Sequence, residues 1–96
     1  MPIVFCSLEI YLPHSHSLKD KRMVVRKATD RLRSRFNFSI SEIDYQDRWQ
    51  RARIGAVSIG PSRKTLEQLS GNFVRESERI LGGDLIDYNI EIFDHH

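Results

Sequence analysis

The sequence predicts an α+β sandwich: two helices packed on one face of a four-stranded antiparallel sheet, in the order β-α-β-β-α-β, the ferredoxin-like arrangement. Three observations carry this expectation. The first ten or so residues alternate apolar and mixed positions, as a strand with one buried face does. Two later stretches repeat apolar residues at helical spacing, each opened by a serine. Two strand-like runs separated by a short polar connection lie between them, and a further alternating run closes the chain.

Taken in order, Ile3 to Leu12 place Val4, Cys6, Leu8, Ile10 and Leu12 on one face, and Pro13 stops the strand. Ser17-Leu18-Lys19-Asp20 fits a capping box, with Ser17 as N-cap and Asp20 at the third helical position. Leu18, Val25, Ala28, Leu32 and Phe36 then trace a buried stripe, with Lys19, Arg22, Arg26 and Arg33 together on its flank. Phe38 to Gln46 reads as the second strand, with a phase change near Glu42 that predicts a bulge. Arg51 to Ile59 is the third strand. Ser62 caps a second helix through Leu66, Leu69, Phe73, Ile80 and Leu81, which Gly82-Gly83 ends. In the last strand, Leu85 to Phe93, alternation turns Ile86, Tyr88, Ile90 and Ile92 inward. Right-handed crossovers and the short hairpin lead to the expectation that β1 and β3 are parallel central strands.

The length, 96 residues, suits one domain, residues 1–96. A core of this size is modest, which makes dimerisation a useful source of stability. The apolar runs are too short to cross a membrane. Met1-Pro2-Ile3-Val4 has no basic n-region and no small-residue cleavage site, so no secretion signal is expected. The single cysteine, Cys6, cannot form an internal disulfide and falls in the apolar strand, consistent with a buried thiol in a reducing, cytoplasmic compartment.

Charge is distributed unevenly. The net charge is only +2, yet Leu18 to Phe36 holds eight basic residues against Asp20 and Asp30, so this segment carries +6 and the remainder −4. Such asymmetry points to a polyanionic partner or, more plainly, to a solvated helix face. With β1 and β3 parallel, both helices would start at one end of the molecule. Helix starts offer free backbone N–H groups and a positive dipole end. A cation there costs an isolated helix about 0.3–1 kcal/mol. The chain nevertheless places Lys19, Lys21 and Arg22 at one start, and Arg63 and Lys64 at the other, with His14 and His16 in the preceding loop. Lys19, Lys21, Arg22, Arg63 and Lys64, with Ser17 and Ser62, define an expected anion or nucleic-acid site that extends along Arg26 and Arg33.

A secondary candidate surface is the hairpin, where Trp49 stands among Arg48, Arg51 and Arg53. Arginine stacks on indole, and an exposed aromatic flanked by cations suits single-stranded nucleic acid. Folding back over the core end is the favoured alternative for so large an apolar group. The uncovered sheet face mixes Phe5, Tyr11 and Phe93 with Glu9, Asp87 and Glu91, a better match to a protein–protein contact than to RNA. A homodimer through that face or an edge strand is expected.

Ser17 to Arg22, Phe36-Asn37-Phe38-Ser39-Ile40-Ser41-Glu42 and Asp47-Arg48-Trp49-Gln50-Arg51-Ala52 together resemble the YlxP-like family of small bacterial proteins, a domain of unknown function. The resemblance covers nearly the whole chain. It implies a ferredoxin-like fold and, through the family's frequent neighbourhood with translation and ribosome-maturation genes, a role with RNA or a ribosomal particle. It implies no catalytic residues.

Other chemistries find little support. His14-x-His16 and His95-His96 lack a third metal ligand at credible spacing. There is no glycine-rich phosphate loop and no nucleophile elbow. Acylphosphatases share the fold, but their phosphate-binding loop is replaced here by Pro13-His14-Ser15-His16-Ser17. The expectation is therefore a non-enzymatic accessory protein without cofactor or metal. The alternative is a homodimeric module that binds a phosphorylated metabolite in the same pocket.

Overall fold

The computed structural model describes residues 1–94. Its elements are β1 (Pro2–Tyr11), α1 (Leu18–Arg35), β2 (Ser39–Asp44), β3 (Arg51–Ile59), α2 (Arg63–Leu81), a 3₁₀ turn (Gly82–Asp84) and β4 (Leu85–Asp94). The strands form one sheet in the order β2-β3-β1-β4.

All three strand pairings are antiparallel, including β1 with β3, where Ile3 faces Ile59 and Tyr11 faces Arg51. This corrects the expected parallel centre. The crossover through α1 makes β1 and β2 co-directional, and the β2–β3 hairpin then reverses the chain, so β3 must oppose β1. As a result, α1 starts at the Tyr11–Arg51 end of the sheet and α2 at the Ile3–Ile59 end.

One core fills the space between sheet and helices. Val4, Cys6, Leu8 and Ile10 from β1 and Ala52, Ile54 and Ala56 from β3 meet Val25, Ala28 and Leu32 of α1 and Leu66, Phe73 and Leu81 of α2. Phe38 stacks on Phe73 with ring centroids 4.4 Å apart, and Phe36 meets both rings edge-on. Ser70 and Ser77 are buried on α2 and return their hydroxyls to the Glu67 and Phe73 carbonyls, so neither hydroxyl is stranded.

The helix caps fall where the sequence places them. The Ser17 side chain accepts from the Asp20 N–H, and Ser62 from Thr65 N–H. Gly82 ends α2 at φ +56°, a conformation that disfavours other side chains. The bulge in β2 lies between Glu42 and Asp44 and turns Ile43 over Gly55, where a Cβ would come within 3.1 Å of Ile43.

The last strand departs from the expected alternation. A second irregularity, opposite Glu9 and Ile10, sets Leu85 against Ile10 and leaves Ile86 exposed. Tyr88 pairs with Leu8 yet is also exposed, because β4 is the edge strand. Leu85, Ile90 and Ile92 supply β4's share of the core.

Candidate nucleic-acid interface

The site begins with a lysine at a core position. Counting along α1, position 21 falls in the inward stripe with half-buried Leu18 and buried Val25, Ala28 and Leu32. Lys21 is accordingly only 1% exposed. Its Nζ donates to Glu42 Oε2 at 3.0 Å and to the carbonyls of Tyr45 and Gln46 at 2.7 and 3.2 Å. All three ammonium donors are therefore used, which is what allows the charge to be buried.

Lys21 thus fastens the β2–β3 hairpin to the first turn of α1. Tyr45 has φ +65°, an uncommon conformation for a bulky residue, and its carbonyl also accepts from the Arg48 N–H at 2.9 Å. The Tyr45 ring lies beneath the guanidinium groups of Arg51 and Arg53, 4.7 and 5.3 Å from the centroid. Gln50 ties the hairpin to the β1–α1 loop by donating to the Pro13 and Ser15 carbonyls, and Leu12 N–H donates to Gln50 O. Three separate sequence segments are held together at one end of the molecule.

Two candidate ligand-binding features leave the expected site here. Lys21 is consumed by these bonds and is not a free cation. Ser62, Arg63 and Lys64 lie at the opposite end, so the two helix starts do not form one pocket. Ser62 is occupied with Thr65, while Arg63 pairs with Glu67 and Asp94. Ser17 is likewise spent as a cap, and Asp20 closes the same turn by accepting from the His16 N–H.

What remains is the exposed flank of α1. Lys19, Arg22 and Arg26 are exposed there and, among the described residues, form no ion pair. Arg22, Val25, Arg26, Thr29, Asp30, Arg33 and Glu42 line a groove of about 270 Å³ between α1 and the edge strand β2. Arg33 is exposed but engaged. It donates to the Ile40 carbonyl at 2.8 Å and pairs with Asp30, covering part of the β2 edge. Arg35 turns to the other side and meets Glu76, whose carboxyl is held below its ordinary range by the Arg79 hydrogen bond and then by the Arg35 charge.

The hairpin surface is open. Trp49 is 54% exposed, so it does not plug the core end as the burial argument favoured. It lines a cleft of about 470 Å³ with Tyr11, Asp47, Arg48, Gln50 and Arg51. The hairpin is held by Lys21, Tyr45 and Gln50, and the indole is not needed to close the end. Beside this cleft, Glu9 is neutralised by Arg53 and, at 3.5 Å, by Arg51, while Arg53 also reaches Asp44.

Among the described residues, no group of three His, Cys, Asp or Glu side chains lies close enough to share a metal ion. His95 and His96 lie outside the described residues. No described helix is long and apolar enough to cross a membrane.

A ferredoxin-like sandwich with a cationic first helix and a braced hairpin is the class defined by these features. The chain belongs to the family described as "Protein of unknown function (DUF503)", whose model matches residues 3–90. It is 41% identical over 66 residues to the uncharacterized protein YlxP of Bacillus subtilis (strain 168), covering 69% of this chain and 72% of that protein. Among solved structures, it resembles a dimeric ferredoxin-like protein of unknown function from Thermobifida fusca YX. That match has TM-score 0.58 and 13% identity and covers 97% of this chain and 90% of the other. An antibiotic biosynthesis monooxygenase matches with TM-score 0.57 and 12% identity, covering 100% and 99% of the two chains. At such identities these likenesses concern the fold alone.

Proposed function

We propose that this protein is a non-enzymatic, cytoplasmic accessory factor that binds RNA, alone or in a ribosomal particle, through the exposed flank of α1. The observation that carries this reading is the group Lys19, Arg22 and Arg26: exposed, side by side, and without carboxylate partners among the described residues. Neighbouring cations left unpaired are poised to replace phosphate counterions. The phosphorylated-metabolite alternative depended on joined helix starts, which the antiparallel centre separates.

Salt-dependent RNA binding tests the proposal. Three phosphate contacts give a slope of roughly −2 in log affinity against log salt for a single strand. Arg22→Glu and Arg26→Glu should each weaken binding and flatten that slope without altering the fold. Unchanged affinity in both variants would remove the α1 surface from consideration.

We also propose that the protein self-associates through its uncovered sheet face. Val57, Ile59 and Phe93 are exposed at the Ile3 end of that face, beside partly buried Ile3 and Phe5. Glu91, opposite Phe5 beside this patch, accepts from the Asn89 side chain, and Glu9, farther along the face, is paired with Arg51 and Arg53.

A further inference from the structure

The cleft at the hairpin end contains two exposed aromatic rings that the fold does not require. Tyr11 is 41% exposed and Trp49 54% exposed, and they line the same cavity, Tyr11 from the end of β1 and Trp49 from the β2–β3 connection. Arg48 borders it and, among the described residues, has no ion-pair partner. Asp47 also borders it, likewise unpaired among the described residues, and adds a negative charge that disfavours a phosphate inside the cleft. The chemistry of the cleft therefore favours a flat, uncharged, polarisable group with an anionic attachment outside it.

We infer that this cleft holds an unpaired base of single-stranded RNA, stacked on Trp49 and contacting Tyr11, while its backbone leaves past Arg48 toward α1. The inference rests on the RNA-binding reading above and adds a second contact of different chemistry. Continuity supports it. Lys21 binds the Tyr45 and Gln46 carbonyls directly behind the hairpin, so the cleft and the Arg22 side of α1 are parts of one rigid end. Stacking is indifferent to base identity and requires the base to be unpaired, so single strands are bound in preference to duplexes. A base in the cleft and phosphates on α1 divide the ligand as the two surfaces divide their chemistry.

The chain has one tryptophan, which makes the test direct. Trp49 emission is followed while the full-length protein is titrated with a short single-stranded RNA. Parallel titrations use the same strand in a duplex and an abasic strand of equal length. Anisotropy of labelled RNA reports binding independently. The expected result is quenching by the single strand and none by the abasic strand. Tyr11→Ala and Trp49→Ala should each weaken single-strand binding by about 5-fold or more, with Trp49→Phe retaining part of the affinity. Both side chains are exposed, and an unchanged circular dichroism melt verifies the fold. Binding without a change in Trp49 emission, equal quenching by the abasic strand, or no RNA binding at all would overturn the inference. Failure of the two readings is distinguishable. Quenching that survives in Arg22→Glu/Arg26→Glu supports the cleft and removes the helix. Binding that depends on those arginines but leaves the indole untouched supports the helix and overturns the cleft.

Discussion

Replacing Lys21 with methionine keeps most of the aliphatic stem and deletes the ammonium group. Three acceptors lose a donor: Glu42 Oε2 and the Tyr45 and Gln46 carbonyls. Removing one member of a buried ion pair costs roughly 3–5 kcal/mol when its partner is stranded. Here the stranding is incomplete. The Glu42 side chain is 23% exposed and can gain water, and the Tyr45 carbonyl keeps its bond from the Arg48 N–H. The expected loss is therefore about 2–3 kcal/mol. For a domain of this size that lowers Tm by roughly 10–20 °C. Thermal and urea unfolding followed by circular dichroism measure it. Glu42→Gln made in both backgrounds should show a coupling of about 1 kcal/mol or more with position 21. Amide exchange from Tyr45 to Arg48 should accelerate beyond the global change, because the strained Tyr45 backbone loses its brace. A loss below about 1 kcal/mol, with unchanged exchange in the hairpin, would refute the argument that Lys21 organises this end.

Two further predictions concern other parts of the molecule. Sedimentation at micromolar concentration should give a dimer, and Ile59→Glu, which sets a carboxylate into the proposed contact, should weaken association by about 100-fold or more while leaving the fold intact; a wild-type monomer at that concentration would eliminate the dimer. Burial pushes the Cys6 thiol from its ordinary value near 9.0 to about 11, so at neutral pH it should resist alkylation until the protein unfolds. Between pH 9 and 11 the unfolded chain releases this proton and the folded one holds it, so stability should fall with rising pH by up to about 1.4 kcal/mol per unit. The difference between wild type and Cys6→Ala isolates that slope, and parallel pH profiles would contradict it.

Much of the fold was legible in the sequence because it is governed by short-range physics. Alternation placed the faces of β1, and helical spacing placed Val25, Ala28 and Leu32. Ser17, Ser62 and Gly82 marked helix ends, since a cap is satisfied within a single turn. The phase change near Glu42 announced a real bulge. The exposed cations of α1 could be anticipated in the same way, because Lys19, Arg22 and Arg26 lie off the apolar stripe.

The remaining features depended on groups far apart in the chain. Strand direction at the centre of the sheet follows from composing a crossover with a hairpin, and that one relation separates the Ser17 and Ser62 helix starts. Lys21 looked like part of a basic run, although its position in the stripe was a signal that it faced inward. Only the fold supplies Glu42 and the two hairpin carbonyls, from more than twenty residues away, that make a lysine stable there. Trp49 had the apolar area to be buried, but the braced hairpin already closes that end of the core and leaves the indole facing water. Local periodicity determined which residues form the elements. Tertiary structure decided which charges are satisfied internally and which remain available to a partner, because that balance depends on donors and acceptors brought together only by folding.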